Sequence, residues 1–250
     1  MRIGGLQKVT LIDYPGKVAA TVFLIGCNFR CPYCHNPELV TIKELSRKNR
    51  YSSTDFFKFL DTRDTLLDGV CITGGEPTIN SDLPKFIQEI KKRGFLVKLD
   101  TNGSNPGMLK RLIEKRLVDF IAMDIKTSTD VKIKNPCLPA GRQKSKIKNY
   151  DIATGTNVDI NKIKKSVDLI RNSGVDYEFR TTVVPKIIKK EDIENIGKWL
   201  KGSNKFVLQQ FRPDKVLNST FKKIKPYSDD KLKEFLEILK PYIKEVELRA

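Results

Sequence analysis

Three cysteines stand within eight residues, Cys27, Cys31 and Cys34, in the spacing C-x3-C-x2-C. Thiolates are soft metal ligands, and three of them this close, directly after an apolar run, can converge on one metal centre. A structural zinc site usually takes four ligands. His35, the chain's one histidine, adjoins Cys34 and is poorly placed to close the same tetrahedron. Cys71 lies inside an apolar run and Cys137 in a loose polar stretch. The simpler reading is that only three ligands come from protein, because a [4Fe–4S] cluster held by three thiolates leaves one iron open to an outside ligand. Cys71 itself reads as a small buried hydrophobe and Cys137 as a surface thiol. An odd total of five cysteines argues against a secreted disulfide framework.

Five further segments carry polar or glycine residues at the ends of apolar runs: Thr73-Gly74-Gly75-Glu76-Pro77, Asp100-Thr101-Asn102-Gly103, Asp124-Ile125-Lys126, residues 180–185 from Arg180 through Thr182, and Gln209-Gln210-Phe211-Arg212. In parallel α/β folds, sites assemble at the carboxyl ends of the strands, so these segments and the cysteine loop share one rim. Each has a plainer reading beside the functional one. Gly74-Gly75 is either a turn of unusual φ/ψ or a close backbone approach to a ligand. Asp100-Thr101-Asn102-Gly103 is a turn and helix cap or a binding segment. Asp124 and Lys126, two apart, share a strand face as an ion pair or as a polar ligand's seat.

The elements that must position these residues are strands over 18–25, 69–73, 95–99, 118–125, 177–184 and 205–211, with a further one over 242–248. Helices fit between them, at 82–93, 106–116, 159–173, 190–200 and 228–240. The first has Pro84 in its opening turn, apolar Leu83, Phe86, Ile87 and Ile90, and Gly94 as a stop. This alternation predicts an α/β fold with a parallel sheet, open or closed into a barrel, in a single domain spanning 1–250. Residues 130–150, with two prolines, a glycine and many Lys and Arg, read as an exposed basic loop inserted into that plan. The longest early apolar run is far below the roughly 20 residues that span a bilayer, and no signal peptide is visible, so a cytoplasmic protein without a membrane partner is expected. The net charge of +17 admits a nucleic-acid or acidic partner. The plainer reading is lysine spread over exposed helix faces, which leaves nucleic acid an unlikely partner.

The cysteine spacing, with an aromatic before the last cysteine, and the later Gly-Gly-Glu-Pro resemble the pattern of radical S-adenosylmethionine (radical SAM) enzymes. Gly4-Gly5-Leu6-Gln7-Lys8, Leu11-Ile12-Asp13-Tyr14-Pro15-Gly16-Lys17 and the segment from Gly26 to Glu38 look like one branch, the anaerobic ribonucleoside-triphosphate reductase activating proteins. These are relatives of the pyruvate formate-lyase activating enzymes. The resemblance implies a partial (β/α)6, TIM-like barrel. It implies a [4Fe–4S] cluster on Cys27, Cys31 and Cys34, with S-adenosylmethionine chelating the fourth iron. Tyr33 to His35 match the segment that approaches the adenine, and Gly74, Gly75 and Glu76 the backbone that receives the methionine amino group. Asp124 and Lys126 match positions holding ribose and carboxylate. Asp100 and Thr101 match a segment near the methionine end, and Arg180 and Thr182 lie where related activases make further contacts. Arg212 stands where the pyruvate formate-lyase activases have a histidine.

The implied activity is reductive cleavage of S-adenosylmethionine to methionine and a 5′-deoxyadenosyl radical, which abstracts hydrogen from a glycine of a partner enzyme. That partner would be an anaerobic ribonucleotide reductase, and the electron donor a reduced flavodoxin- or ferredoxin-like protein. Two alternatives stand beside it: a radical SAM enzyme acting on another partner or a small molecule, and a non-catalytic iron–sulfur or zinc module. The last leaves the Gly-Gly-Glu-Pro and Asp-x-Lys segments unexplained.

Overall fold

The computed structural model describes residues 1–40, 51–129 and 149–249. In chain order the elements are β1 (Ile3–Thr10), β2 (Ala19–Leu24), α1 (Ser53–Asp61), β3 (Gly69–Gly74), α2 (Leu83–Lys91), β4 (Leu96–Thr101), α3 (Pro106–Glu114), β5 (Phe120–Asp124), α4 (Asn149–Thr154), α5 (Ile160–Arg171), β6 (Asp176–Val183), α6 (Lys190–Trp199), β7 (Lys205–Gln210), α7 (Asp229–Leu239) and β8 (Glu245–Arg249). No helix among the described residues is long and apolar enough to cross a membrane. The chain falls into two compact units. One comprises residues 1–28, 36–124 and 161–177, the other residues 29–35, 125–160 and 178–250.

In the first unit, β2, β3, β4 and β5 pair in parallel and in chain order, and β1 pairs antiparallel to β2. Strand β1 has no counterpart in the expected pattern. Its side chains run from buried through three exposed positions to buried, so neither alternation nor an apolar run announces it. Side chains alternate across the parallel strands. Ala20, Val22, Leu24, Val70, Ile72, Val97, Leu99, Ile121 and Met123 occupy one face and are fully buried. The other face carries the row Thr21, Cys71, Lys98 and Phe120, in mutual register, and above it Phe23, Thr73, Asp100 and Ala122. Helix α2 buries Leu83, Phe86, Ile87 and Ile90, an i, i+3, i+4, i+7 stripe, and stops at Gly94 with φ of +84°. Tyr14 is buried beside Phe120, and burial, helped by Asp119, pushes its hydroxyl well above the ordinary tyrosine range.

In the second unit, β6, β7 and β8 pair in parallel. Phe179, Phe206 and Leu208 are fully buried, and so is Phe235 of α7, which opens on Ser228 accepting from the Lys231 amide at 3.4 Å. Asp192 caps α6 by accepting from the Lys189 amide at 3.0 Å, and it also accepts from the Ser128 hydroxyl at 2.9 Å. Most of the expected 130–150 loop lies outside the described residues. Its last two residues instead open α4, where Tyr150 is almost wholly buried, an aromatic anchor with no polar-loop character. Exposed helix faces carry lysine–acid pairs such as Lys198–Glu194 at 2.7 Å and Lys240–Glu237 at 2.5 Å. That is the solvated pattern expected of dispersed surface charge, and each pair is worth little.

Candidate cofactor-binding site

The candidate residues of the first unit rest on glycine. Gly74 has φ of +111°, and a Cβ there would meet the Leu24 amide nitrogen at 2.4 Å. A Cβ on Gly75 would lie 2.0 Å from the Gly26 carbonyl oxygen. The turn can therefore close down on the end of β2, and it does: the Gly75 amide donates to Leu24 O and the Glu76 amide to Gly26 O, both at 2.8 Å. The turn reading of Gly74-Gly75 is thus visible within the protein. Gly74 supplies the left-handed backbone and Gly75 the close approach, and the surface approached is the peptide that leads into Cys27. That peptide is tied on its other side too, with the Gly26 amide donating to Leu39 O at 2.7 Å and the Cys27 amide to Val40 O at 3.3 Å.

Glu76 turns its side chain inward, where it is 1% exposed. Its carboxylate accepts from the Thr78 amide at 3.0 Å, the Thr78 hydroxyl at 2.5 Å, the Thr101 hydroxyl at 2.8 Å and the Asn102 amide at 2.6 Å. Burial raises its pKa, and these four donors pull the other way. Glu76 and Thr101 therefore join the β3 turn to the end of β4, and their side chains are committed to each other. Asn102 extends the link, donating to Asn28 Oδ1 at 2.9 Å, while Asn28 donates to the Ser104 hydroxyl at 2.8 Å. Asn28 and Asn102 were not singled out in the sequence, where each sat inside a motif chosen for its neighbours. Lys98 stands as a lone charge inside the apolar 95–99 run, two residues before Asp100, a local signal of its own. It is buried and ion-paired to Asp100. Cys71 is buried as expected, but it is more than a space-filler, because Lys98 Nζ lies 3.8 Å from its sulfur. Asp124 ends β5 on the face that carries Ala122's neighbour Asp100.

The second unit holds Phe29 to His35. Phe29, Cys31 and Tyr33 are buried there. The Cys34 amide closes a turn on Cys31 O at 3.0 Å, the Arg30 amide donates to Thr154 O at 2.7 Å, and the Asn218 amide to Pro32 O at 2.9 Å. Gly155, with φ of +65°, leaves room for Arg30, whose carbonyl oxygen would stand 2.3 Å from a Cβ. The His35 ring lies 6.4 Å from that of Phe211, and its Nε2 is buried without a hydrogen-bond partner among the described residues. Burial lowers its pKa, with Lys126 and Arg212 adding to the effect and Asp214 opposing it, which favours the neutral ring. Arg212 is thus placed by the structure near His35. Lys126 stands beyond the last residue of β5, so strand alternation does not pair it with Asp124; its amide donates to the Tyr150 hydroxyl at 3.3 Å. Arg180 and Thr182 share a face of β6 with Glu178. Glu178 is fully buried and accepts a two-pronged bond from Arg249, 2.8 Å on each oxygen, with Arg180 3.9 Å away. Burial works against the charge of Arg249, but its bonds to Glu178 and Glu247 prevail and raise its pKa.

Among the described residues, no three His, Cys, Asp or Glu side chains gather tightly enough to hold one metal ion. Zinc would require sulfurs roughly 4 Å apart, as bonds of about 2.3 Å at tetrahedral angles dictate. In a cluster each thiolate binds its own iron, which relaxes that demand. Cys27, Cys31, Cys34 and Cys71 are thiols, in no disulfide.

Residues 21–200 match the family model described as the radical SAM superfamily. The chain belongs to the radical SAM superfamily. A Methanocaldococcus jannaschii protein named for glycyl-radical enzyme activation is 35% identical over 99% of this chain and 95% of its own length. The pyruvate formate-lyase-activating enzyme of Clostridium pasteurianum is 27% identical over 80% of this chain and 76% of its own. Among solved structures, Streptococcus suis SuiB bound to S-adenosylmethionine matches with a TM-score of 0.64 at 14% identity, covering 91% of this chain. The chain spans about half the length of that protein, 49%. QueE from Escherichia coli matches with a TM-score of 0.53 at 16% identity, over 100% of this chain and 93% of its own. Both likenesses bear out the α/β radical SAM partial-barrel fold. Radical SAM membership brings a [4Fe–4S] cluster and S-adenosylmethionine as cofactors. The residues present fit them: three soft thiol donors, a turn compacted by glycine against the start of the cysteine loop, and an orphaned buried nitrogen on His35 beside Cys34.

Proposed function

We propose that this protein is a glycyl-radical activase, with an anaerobic ribonucleoside-triphosphate reductase as its partner and a reduced flavodoxin- or ferredoxin-like protein as its electron donor. The observation that carries the reading is the likeness, along nearly the whole length of both chains, to the M. jannaschii protein named for that activity. Cys27, Cys31 and Cys34 hold the cluster. When bound, the cofactors supply one electron and a 5′-deoxyadenosyl radical that takes hydrogen from a glycine Cα of the partner.

The chain's own residues bind and orient. Gly74 and Gly75 offer backbone rather than side chain, and Glu76 and Thr101 brace that backbone through their shared hydrogen bond. Asp100 supplies negative charge at the end of β4 toward the cationic methionine end, and Asp124 and Lys126 receive ribose and carboxylate. Tyr33 and His35 line the adenine's approach, the neutral His35 ring offering its unpartnered Nε2. Arg180 and Thr182 add contacts from β6. The test is anaerobic reconstitution, reduction with S-adenosylmethionine, and addition of the purified reductase. A glycyl doublet in the EPR spectrum supports the reading, and cleavage of S-adenosylmethionine without a radical on that partner assigns the activase to a different one.

A further inference from the structure

Lys98 sits in mid-strand on β4 with its side chain 1% exposed. Its neighbours in the same row are Cys71 on β3 and Phe120 on β5. Removing an ammonium from water is costly, and an aliphatic residue would fill this place without that cost. The buried charge therefore calls for a reason beyond packing. Its ammonium lies 3.8 Å from Cys71 Sγ and 5.9 Å from the Phe120 ring centre, and it forms an ion pair with Asp100 Oδ1. Asp100 is two residues along the same strand, hence on the same face and nearer the carboxyl end. Its side chain is 15% exposed, and its register partner on β5 is the small Ala122.

We propose that Lys98 is a positioning residue that fixes the orientation of the Asp100 carboxylate for the cationic methionine end of S-adenosylmethionine. The proposal rests on the cofactor assignment above. A carboxylate held from below by a strand residue has one orientation to offer, whereas the same group at a strand end without its partner swings. Lys98 acts through Asp100 and touches no cofactor itself, so its influence should vanish when Asp100 is neutral.

The test is calorimetric titration of S-adenosylmethionine into the anaerobically reconstituted protein: wild type, Lys98→Met, Asp100→Asn and the double variant. Lys98→Met should weaken binding roughly 10- to 100-fold, the range expected for a charge-assisted contact. In the Asp100→Asn background the same change should have no further effect. Should Lys98→Met fail to load iron, Lys98→Gln, which keeps a donor but not the charge, is read the same way. Wild-type affinity in the single variant, or equal weakening in both backgrounds, overturns the proposal and leaves Lys98 a packing residue. A wild-type protein that cleaves no S-adenosylmethionine overturns the cofactor reading itself, and this proposal with it.

Discussion

Replacing Gly75 by alanine should unseat the peptide that leads into Cys27. The new Cβ would stand 2.0 Å from the Gly26 carbonyl oxygen and 2.6 Å from its carbon. Non-bonded carbon contacts settle near 3.5 Å or more, so the two backbones must part by over about 1 Å. Both obstacles are backbone atoms that cannot rotate aside. Overpacking of this kind costs about 1–3 kcal/mol. Separation also breaks the Glu76 amide bond to Gly26 O at 2.8 Å, worth about 1 kcal/mol. A loss of roughly 2–4 kcal/mol lowers the melting temperature of a chain this size by about 4–16 °C. The assay is thermal unfolding of the apoprotein by circular dichroism, with iron per chain measured after reconstitution; both should fall. Gly107→Ala is the control. Its Cβ would meet only Asn105 Oδ1 at 3.7 Å, in helix α3, and stability should hold or rise by roughly 0.5–1 kcal/mol. Unchanged melting and iron content in Gly75→Ala would refute the reasoning.

Other substitutions separate ligand from scaffold. Cys27→Ala, Cys31→Ala and Cys34→Ala should each lose the cluster by iron analysis and visible absorbance, whereas Cys71→Ala should load iron normally. Glu76→Gln sets an amide donor against the Asn102 amide, or else gives up part of the four-donor pattern, and should cost about 1–3 kcal/mol in chemical denaturation. Arg249→Met strips buried Glu178 of its two-pronged partner and should destabilise by about 3–5 kcal/mol. The same variant probes acid stability. Arg249, chiefly, and Lys205 depress the pKa of Glu247, so that contribution is complete above the unfolded carboxyl value near 4.5 and is lost as pH falls through the lower folded value. The stability gap between wild type and Arg249→Met should therefore narrow below about pH 4.5. With a net charge of +17, association with the partner should weaken as salt rises, and a dissociation constant insensitive to ionic strength would contradict this.

The parallel strands were legible because burial on both faces leaves continuous apolar runs, and β2 through β7 fall within a few residues of those runs. Strand β1 was not, since an edge strand whose middle faces solvent carries no such run. Helix α1 was missed for a related reason. Its buried Phe56 stacks on Phe86 of α2 at 5.3 Å, a contact between elements that no local spacing announces. In the candidate site, Gly74, Thr101 and Asp124 are the last residues of β3, β4 and β5, while Arg180 lies within β6 and Lys126 beyond β5. What the sequence hid was the bracing. The bond from Glu76 to Asn102, the reach of Asn102 to Asn28, and the Glu178–Arg249 pair join residues 26, 74 and 71 positions apart. No local spacing encodes partners at that range.

The most direct measurement follows a deuterium atom. A ribonucleotide reductase partner carrying Cα-deuterated glycine is mixed with the reduced, reconstituted protein and S-adenosylmethionine, and the 5′-deoxyadenosine formed is weighed by mass spectrometry. One deuterium per molecule of product, matched by loss of glycine deuterium, is the result this account predicts. Product that forms without deuterium, or S-adenosylmethionine left intact, contradicts it.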